Sequence, residues 1–245
     1  MSGSAKVAMV AALEREVRAL VKRWRSVERE HEGRRFKFFE SGRAVVVCGG
    51  IGAEAARRAT EAVIALYQPG VVQSVGFAGA LDPSLRVGEI FLPSRVIDAR
   101  DGSSVEMAKG CGVLVSVAAV AGAEQKPNLA KAYGAQAVDM EAAAVARGAQ
   151  ARSVRFMAVK AISDESNFAM PPMDRFVGDN GRFRTGNFVI FAALRPWLWP
   201  RVIQLARNGA KASMALCAEL DRYISAAKNP EVLGPSLHPI SKVIN

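Results

Sequence analysis

The chain has little of what metal, redox and membrane chemistry usually require. Two histidines and three cysteines occur in 245 residues. His31 and His238 stand at no zinc-ligand spacing from Cys48, Cys111 and Cys217, and three thiols close no complete disulfide framework. The cysteines lie in apolar or helical surroundings and are expected to be buried and reduced. No apolar run reaches the roughly 18 residues of a membrane-crossing helix. The opening MSGSAKVAMVAALERE has neither a basic start nor a cleavage site, so a cytoplasmic protein is expected. Low-complexity linkers and internal repeats are also missing. One domain, residues 1–226, is then the simplest division, with an irregular tail at 227–245.

What is present is a core-forming composition. Half the residues are hydrophobic and 23% are charged, which excludes a mainly disordered chain. Lys and Arg number 33 against 23 Asp and Glu, a net charge of +10. Such a surplus suits nucleic acid, anionic lipid or phosphorylated substrates. Here it is dispersed, and no nucleic-acid motif accompanies it. A solvated basic surface and a small-molecule ligand, with no nucleic acid, are the expectation.

Short apolar runs alternate with helical patterns. Lys6–Ala11, Arg35–Glu40, Arg43–Cys48, Val71–Val75, Glu89–Leu92, Val113–Val120 and Arg155–Ile162 read as strands. Glu14–Trp24, Ala53–Tyr67, Asn128–Tyr133 and Met140–Gln150 read as helices. Gly49–Gly52 and Gly76–Gly79 read as glycine turns. This alternation predicts an α/β fold: one domain with a central mixed, mostly parallel sheet flanked by helices. In such sheets, functional residues gather where strands end, which points to Ala11–Glu16, Val75–Leu81 and Ile162–Asn167.

Four stretches carry acids and glycines at those places: ALEREV (12–17), GGIGAEAA (49–56), SVGFAGALDPSLRVGEI (74–90), and the pair AVDMEAAAVA (137–146) with VKAISDESN (159–167). Singly they are weak, because a glycine turn before a helix is common and a helical acid is usually solvated. Their order and spacing resemble the nucleoside phosphorylase/nucleosidase superfamily. That group holds purine nucleoside and uridine phosphorylases and 5′-methylthioadenosine/S-adenosylhomocysteine nucleosidase. The resemblance covers roughly residues 6 to 167.

It implies a three-layer phosphorylase-like fold and cleavage of an N-glycosidic bond. Asp164 matches the acid that eases departure of the purine, and Ser163 beside it would orient the carboxyl. As a bland alternative, Asp164 would cap a following helix. Glu141 matches the carboxylate that grips the ribose diol, with Met140 packed against the sugar. The plain alternative there, an acid complementing a helix N-terminus, fits Asp139 better. Glu16 aligns with the glutamate that activates water in the nucleosidases, whereas Glu14 falls on a different helix face. Phe77, Ala78 and Gly79 fall in the substrate-binding stretch. No metal or organic cofactor is implied, and inorganic phosphate remains an option as co-substrate.

Departures from the pattern bear on the nucleophile. Ser74 stands where the hexameric purine phosphorylases carry a phosphate-binding arginine, and Phe77 where they carry a serine. Arg34, Arg35, Arg57 and Arg58 are alternative phosphate contacts. Residues 168–208 form an atypical aromatic and basic segment with Trp197 and Trp199. It resembles the tail of the hopanoid-associated phosphorylases, which release adenine from a lipid-linked nucleoside. Phe168, Phe176, Phe183, Phe188, Phe191, Trp197 and Trp199 are candidates to line an apolar channel, or else pack a core or an interface. The expectation is an enzyme that releases the base from an adenosine-like nucleoside with a 5′ substituent, hopanoid-linked or smaller, by hydrolysis or phosphorolysis. A homo-oligomer, dimer or higher, with weak membrane-surface association, is expected. The alternatives are a non-catalytic nucleoside binder in which Phe77 blocks the nucleophile, or a peripheral membrane protein.

Overall fold

Alternation along the first strand sets the layers. β1 (Val7–Ala11) sends Val7, Met9 and Ala11 to one face of the sheet and Ala8 and Val10 to the other, and all five are buried. The computed structural model describes residues 7–170, 176, 178, 191 and 195–228. Among them the strands are β1, β2 (Arg25–His31), β3 (Arg34–Ser41), β4 (Ala44–Cys48), β5 (Val71–Ala80), β6 (Ile90–Phe91), β7 (Arg95–Asp98), β8 (Ser104–Glu106), β9 (Val113–Ser116), β10 (Ala137–Asp139) and β11 (Arg155–Asp164). The helices are α1 (Glu14–Val21), α2 (Ala53–Tyr67), α3 (Lys126–Tyr133), α4 (Ala142–Gln150) and α5 (Trp199–Lys228), the last preceded by a 3-10 turn at Pro196–Leu198.

The strands form one mixed sheet in the order β2-β3-β4-β1-β5-β10-β9-β7-β8, and the sheet forks at β5. β5 is long enough to hold three partners. Over Val71–Ser74 it lies between β1 and β11, β11 stays parallel to it as far as Gly79, and Gly79 and Ala80 pair antiparallel with β10. β1 is parallel to both β4 and β5. Helices α2 and α4 cover one face through Ala56, Ala59, Val63, Ala144 and Val145. Helices α1 and α5 cover the other through Val17, Leu20, Leu216 and Leu220. The predicted α/β, three-layer arrangement around one mixed sheet is the one found, with the strand pairings divided evenly between parallel and antiparallel.

Several local readings change. Gly76–Gly79 is strand rather than turn, because both β11 and β10 continue to pair with it. Val138 and Asp139 form a strand beside β9 and β5, and the helix starts only at Ala142. The strand at Val113 ends at Ser116 rather than Val120, and the helix at Glu14 ends at Val21 rather than Trp24. Cys111 is exposed rather than buried, and all three thiols are free. The 30-residue α5 was not expected. Of the proposed tail and the aromatic segment, residues 229–245 and most of 171–194 lie outside the described residues, as does Lys6.

Candidate active site

The eight residues predicted from sequence line one cavity of about 860 Å³: Glu16, Phe77, Ala78, Gly79, Met140, Glu141, Ser163 and Asp164. They arrive there because β1, β5, β10 and β11 all end at this edge of the sheet. Three carboxyls far apart in the chain thus share one hollow.

Glu16 sits on the buried face of α1 and is 6% exposed, while Glu14 points outward to Lys37 at 3.0 Å. The Glu16 carboxylate lies against the backbone of β5. A Cβ on Gly76 would stand 2.9 Å from its Oε2, and Gly76 has φ +148°, so glycine is required there on two counts. Burial pushes Glu16 up to about 7, and the nearby Lys160 ammonium only partly offsets that. Its backbone is pinned by α5: Ser213 Oγ donates to the Glu16 carbonyl at 3.0 Å and Cys217 Sγ to the same oxygen at 3.7 Å.

Glu141 stands at the N-terminus of α4 and is held from two sides. Its Oε1 accepts from the Gly52 N–H at 2.8 Å and its Oε2 from the Met140 N–H at 3.3 Å. The glycine loop before α2 therefore grips a carboxylate. Burial, followed by the neighbouring Asp139 charge, raises Glu141 to about 7. Asp139 takes the structural part: its Oδ2 accepts from the Ala142 N–H at 2.9 Å, and its Oδ1 from Ser116 Oγ at 2.5 Å.

Asp164 is 3% exposed at the end of β11, and no helix follows for it to cap within the residues described up to Met170. Both its oxygens accept hydrogen bonds, Oδ1 from Ser163 Oγ at 2.7 Å and Oδ2 from Lys126 Nζ at 2.5 Å. Gly79 makes room for this carboxylate, since a Cβ there would meet Oδ2 at 2.9 Å.

Sequence reasoning missed two lysines. Lys126, the first residue of α3, is 1% exposed, lines the cavity, and donates to Asp164 and to the Glu165 carbonyl at 2.7 Å. Lys160, also 1% exposed, lies under the site and pairs with Asp139 Oδ2 at 2.9 Å and Ser74 Oγ at 3.0 Å. Burial pulls its pKa down, but Asp139, Glu141 and Glu16 outweigh burial and the net direction is up. The signal for Lys160 was present in the sequence: a cation inside the apolar strand AVKAI demands a buried partner.

The proposed phosphate arginines do not reach the cavity. Arg34 and Arg35 sit exposed on β3, and Arg57 and Arg58 are paired with Glu54 and, for Arg57, Glu61. Nor do the proposed channel aromatics that fall among the described residues line it. Phe168 and Phe176 are buried elsewhere, Phe191 packs edge-on to Phe176, and Trp197 and Trp199 are 71% and 50% exposed. Phe183 and Phe188 lie outside the described residues. The apolar wall comes instead from Phe77, Val202, Leu205 and Met170. No group of His, Cys, Asp and Glu among the described residues has the makings of a metal site.

The fold agrees with comparisons to known proteins. The chain belongs to the phosphorylase superfamily, whose family model matches residues 6–112 and 110–182. It is 29% identical over 157 residues to 5′-methylthioadenosine/S-adenosylhomocysteine nucleosidase of Staphylococcus aureus, covering 50% of this chain and 69% of that one. Among solved structures it is similar to Arabidopsis thaliana 5′-methylthioadenosine nucleosidase, with a TM-score of 0.71 and 18% identity over 92% of this chain and 96% of that one. Futalosine hydrolase of Helicobacter pylori is also similar, with a TM-score of 0.63 and 18% identity over 89% and 98%.

Proposed function

We propose that the protein hydrolyses the N-glycosidic bond of an adenosine-like nucleoside carrying a 5′ substituent and releases the free base. The observation that carries this reading is the convergence of Glu16, Glu141 and Asp164 on one cavity, with the first two shifted to about 7. A carboxyl near neutrality is suited to taking a proton from water at working pH. Glu16 serves as that base. Glu141, fixed by two backbone N–H donors, accepts from the ribose hydroxyls and faces the growing oxocarbenium charge, with Met140 against the sugar. The base lies at the Asp164 end. The relatives named above are, by name, nucleosidases and a hydrolase of nucleoside-like substrates.

Water is favoured over phosphate on charge. The nucleophile region holds two buried carboxyls, and the Gly52 N–H, a donor that a phosphate would need, is given to Glu141. The cation beneath, Lys160, is used by Asp139 and Ser74. No cofactor is needed for these steps. Phe77 forms cavity wall and packs toward α5, its Cε2 lying 3.8 Å from where a Cβ on Gly209 would be, which disfavours a role as a plug. The experiment is release of adenine from 5′-methylthioadenosine by the purified protein, with and without inorganic phosphate. Equal rates support hydrolysis; turnover only with phosphate overturns it, and no turnover removes the function.

The 5′ group has room to be large. Beyond the acids the cavity runs between α1 and α5, and it opens past exposed Arg15, Arg18, Lys22, Ala206 and Ala210. A lipid-linked 5′ substituent fits an apolar wall with a basic mouth. Trp197, Trp199 and Ile203 are exposed at the start of α5 beside Arg195 and Arg201, which supports weak association of a cytoplasmic protein, as we read it, with an anionic membrane surface. No described helix is long and apolar enough to cross a membrane. Flotation with anionic vesicles, lost on Trp197→Ser with Trp199→Ser, is the expected result. A homo-oligomer that covers part of the exposed α5 face is the expected assembly, to be read by light scattering.

A further inference from the structure

Elsewhere on the surface, many cations have acids beside them. Lys37 reaches Glu14 at 3.0 Å, Arg57 reaches Glu54 at 2.9 Å and Arg95 reaches Glu106 at 3.1 Å. The mouth of the active-site cavity is different. Arg15, Arg18 and Lys22 line it from the exposed stripe of α1, while Glu16, Val17, Leu20 and Val21 turn to the core. Among the described residues, no acid pairs with Arg18 or Lys22. The neighbouring sequence offers none either. Residues 17–25 hold four cations and no carboxyl, and on α5 residues 199–218 hold Arg201, Arg207 and Lys211 and no carboxyl. The dipole of α1 favours basic residues in its last turn, but it explains neither a stripe that begins at Arg15 nor the lack of acids on α5. Facing the stripe is a wall of Val202, Leu205, Ala206 and Ala210. Low-dielectric walls that carry one sign of charge focus its field into the opening.

We propose that this passage recognises an anionic group at the far end of the substrate's 5′ arm. The apolar stem of the arm lies along Ala19, Val202 and Leu205, and the anion is held by Arg18 and Lys22. This rests on the hydrolase reading above and adds to it the charge of the substrate. The distances suit an arm of moderate length. At about 1.5 Å of rise per residue, Arg18 and Lys22 stand about 3 and about 9 Å along α1 from Glu16. An extended chain covers the longer span in about seven bonds at ~1.2 Å each. The methylthio group of 5′-methylthioadenosine ends well short of it.

The probes are the 5′-thioheptanoic acid derivative of 5′-deoxyadenosine and its primary amide, which match in length and differ in charge. Exposed ion pairs are individually weak, so two acting together are expected to favour the acid over the amide by about fivefold in kcat/KM at low salt. The preference should shrink in about 0.5 M salt. Seen in buffer without vesicles, it belongs to the substrate and not to a lipid headgroup. Arg18→Gln with Lys22→Gln should bring the ratio near one, Arg18→Lys with Lys22→Arg should keep it, and Arg18→Glu with Lys22→Glu should invert it. Both substrates meet the same protein, so a folding defect cancels in the ratio. A wild-type ratio near one, a ratio that the paired Gln substitutions leave unchanged, or cleavage of 5′-methylthioadenosine but of neither long-armed probe overturns the assignment and leaves the hydrolase reading standing. Wild-type protein that cleaves none of the three removes the hydrolase reading itself.

Discussion

Glu16 stores an electrostatic cost that can be read independently of catalysis. Its folded pKa is raised from 4.5 to about 7 by burial. The sign follows from proton counting: between these values the folded state holds more protons than the unfolded one. The favourable contribution is therefore complete below pH 4.5 and lost as pH rises through about 7, a difference of about 3 kcal/mol. Glu16→Gln removes the titration. It should match the wild type in melting temperature near pH 5 and exceed it by several degrees near pH 8.5, while losing about 10²-fold or more in kcat. Thermal melts at both pH values, together with rates, check this. For the wild type, kcat/KM should climb with pH through about 7 as Glu16 becomes the free base; a flat profile from pH 5 to 9 counts against that role. This acid was legible through the family resemblance of ALEREV, and the structure places it on the one buried face of α1, with Val17, Leu20 and Val21. Lys126 was not, since a lysine before Pro127 at a helix start reads as solvated and only its partner, 38 residues away, makes it special.

At the scale of elements, the site depends on how closely β5 is approached. Its glycines act less as turn formers than as missing side chains. Gly79→Ala puts a Cβ 2.9 Å from Asp164 Oδ2, and the carboxylate must move. The expected result is a loss of roughly 10- to 100-fold in kcat with less than about 2 kcal/mol of stability lost, measured by steady-state rates and urea unfolding. Lys160 works the other way. From β11 it reaches Ser74 on β5 and Asp139 on β10, tying three strands where the sheet forks. Lys160→Met leaves Asp139 buried without its cation and should cost about 3–5 kcal/mol. Adding Asp139→Asn should recover part of this, so that the double variant is more stable than the sum of the single losses predicts. Local patterns revealed the elements whose periodicity is their own: Ala53–Tyr67 carries its helical stripe and its stop, with Gln68 in the left-handed conformation. They did not reveal β2, an exposed edge strand whose alternating charges look like loop. They also misread the end of β5, because extension through Gly76–Gly79 is imposed by β10 and β11 rather than by its own residues.

For the whole molecule, the helical layer of α1 and α5 connects stability to substrate range. α5 packs Leu216 and Leu220 onto the sheet, and Ser213 and Cys217 fasten the Glu16 carbonyl, so one helix both completes the core and sets the base. The stretch of α5 before these residues, Val202 to Ala210, forms the far wall of the cavity. Substrate range should then be adjustable on α5 without touching any acid. Ala206→Trp narrows the passage between the two helices, at a position whose side chain faces the opening rather than the core. A pocket discriminates by roughly 1–3 kcal/mol for each methylene it accepts or refuses. The ratio of kcat/KM for a long 5′-alkylthioadenosine over 5′-methylthioadenosine should therefore fall at least about tenfold in the variant. An unchanged ratio would show that the 5′ group leaves the cavity by another route, and the basic mouth at Arg15, Arg18 and Lys22 would then have no part in substrate choice.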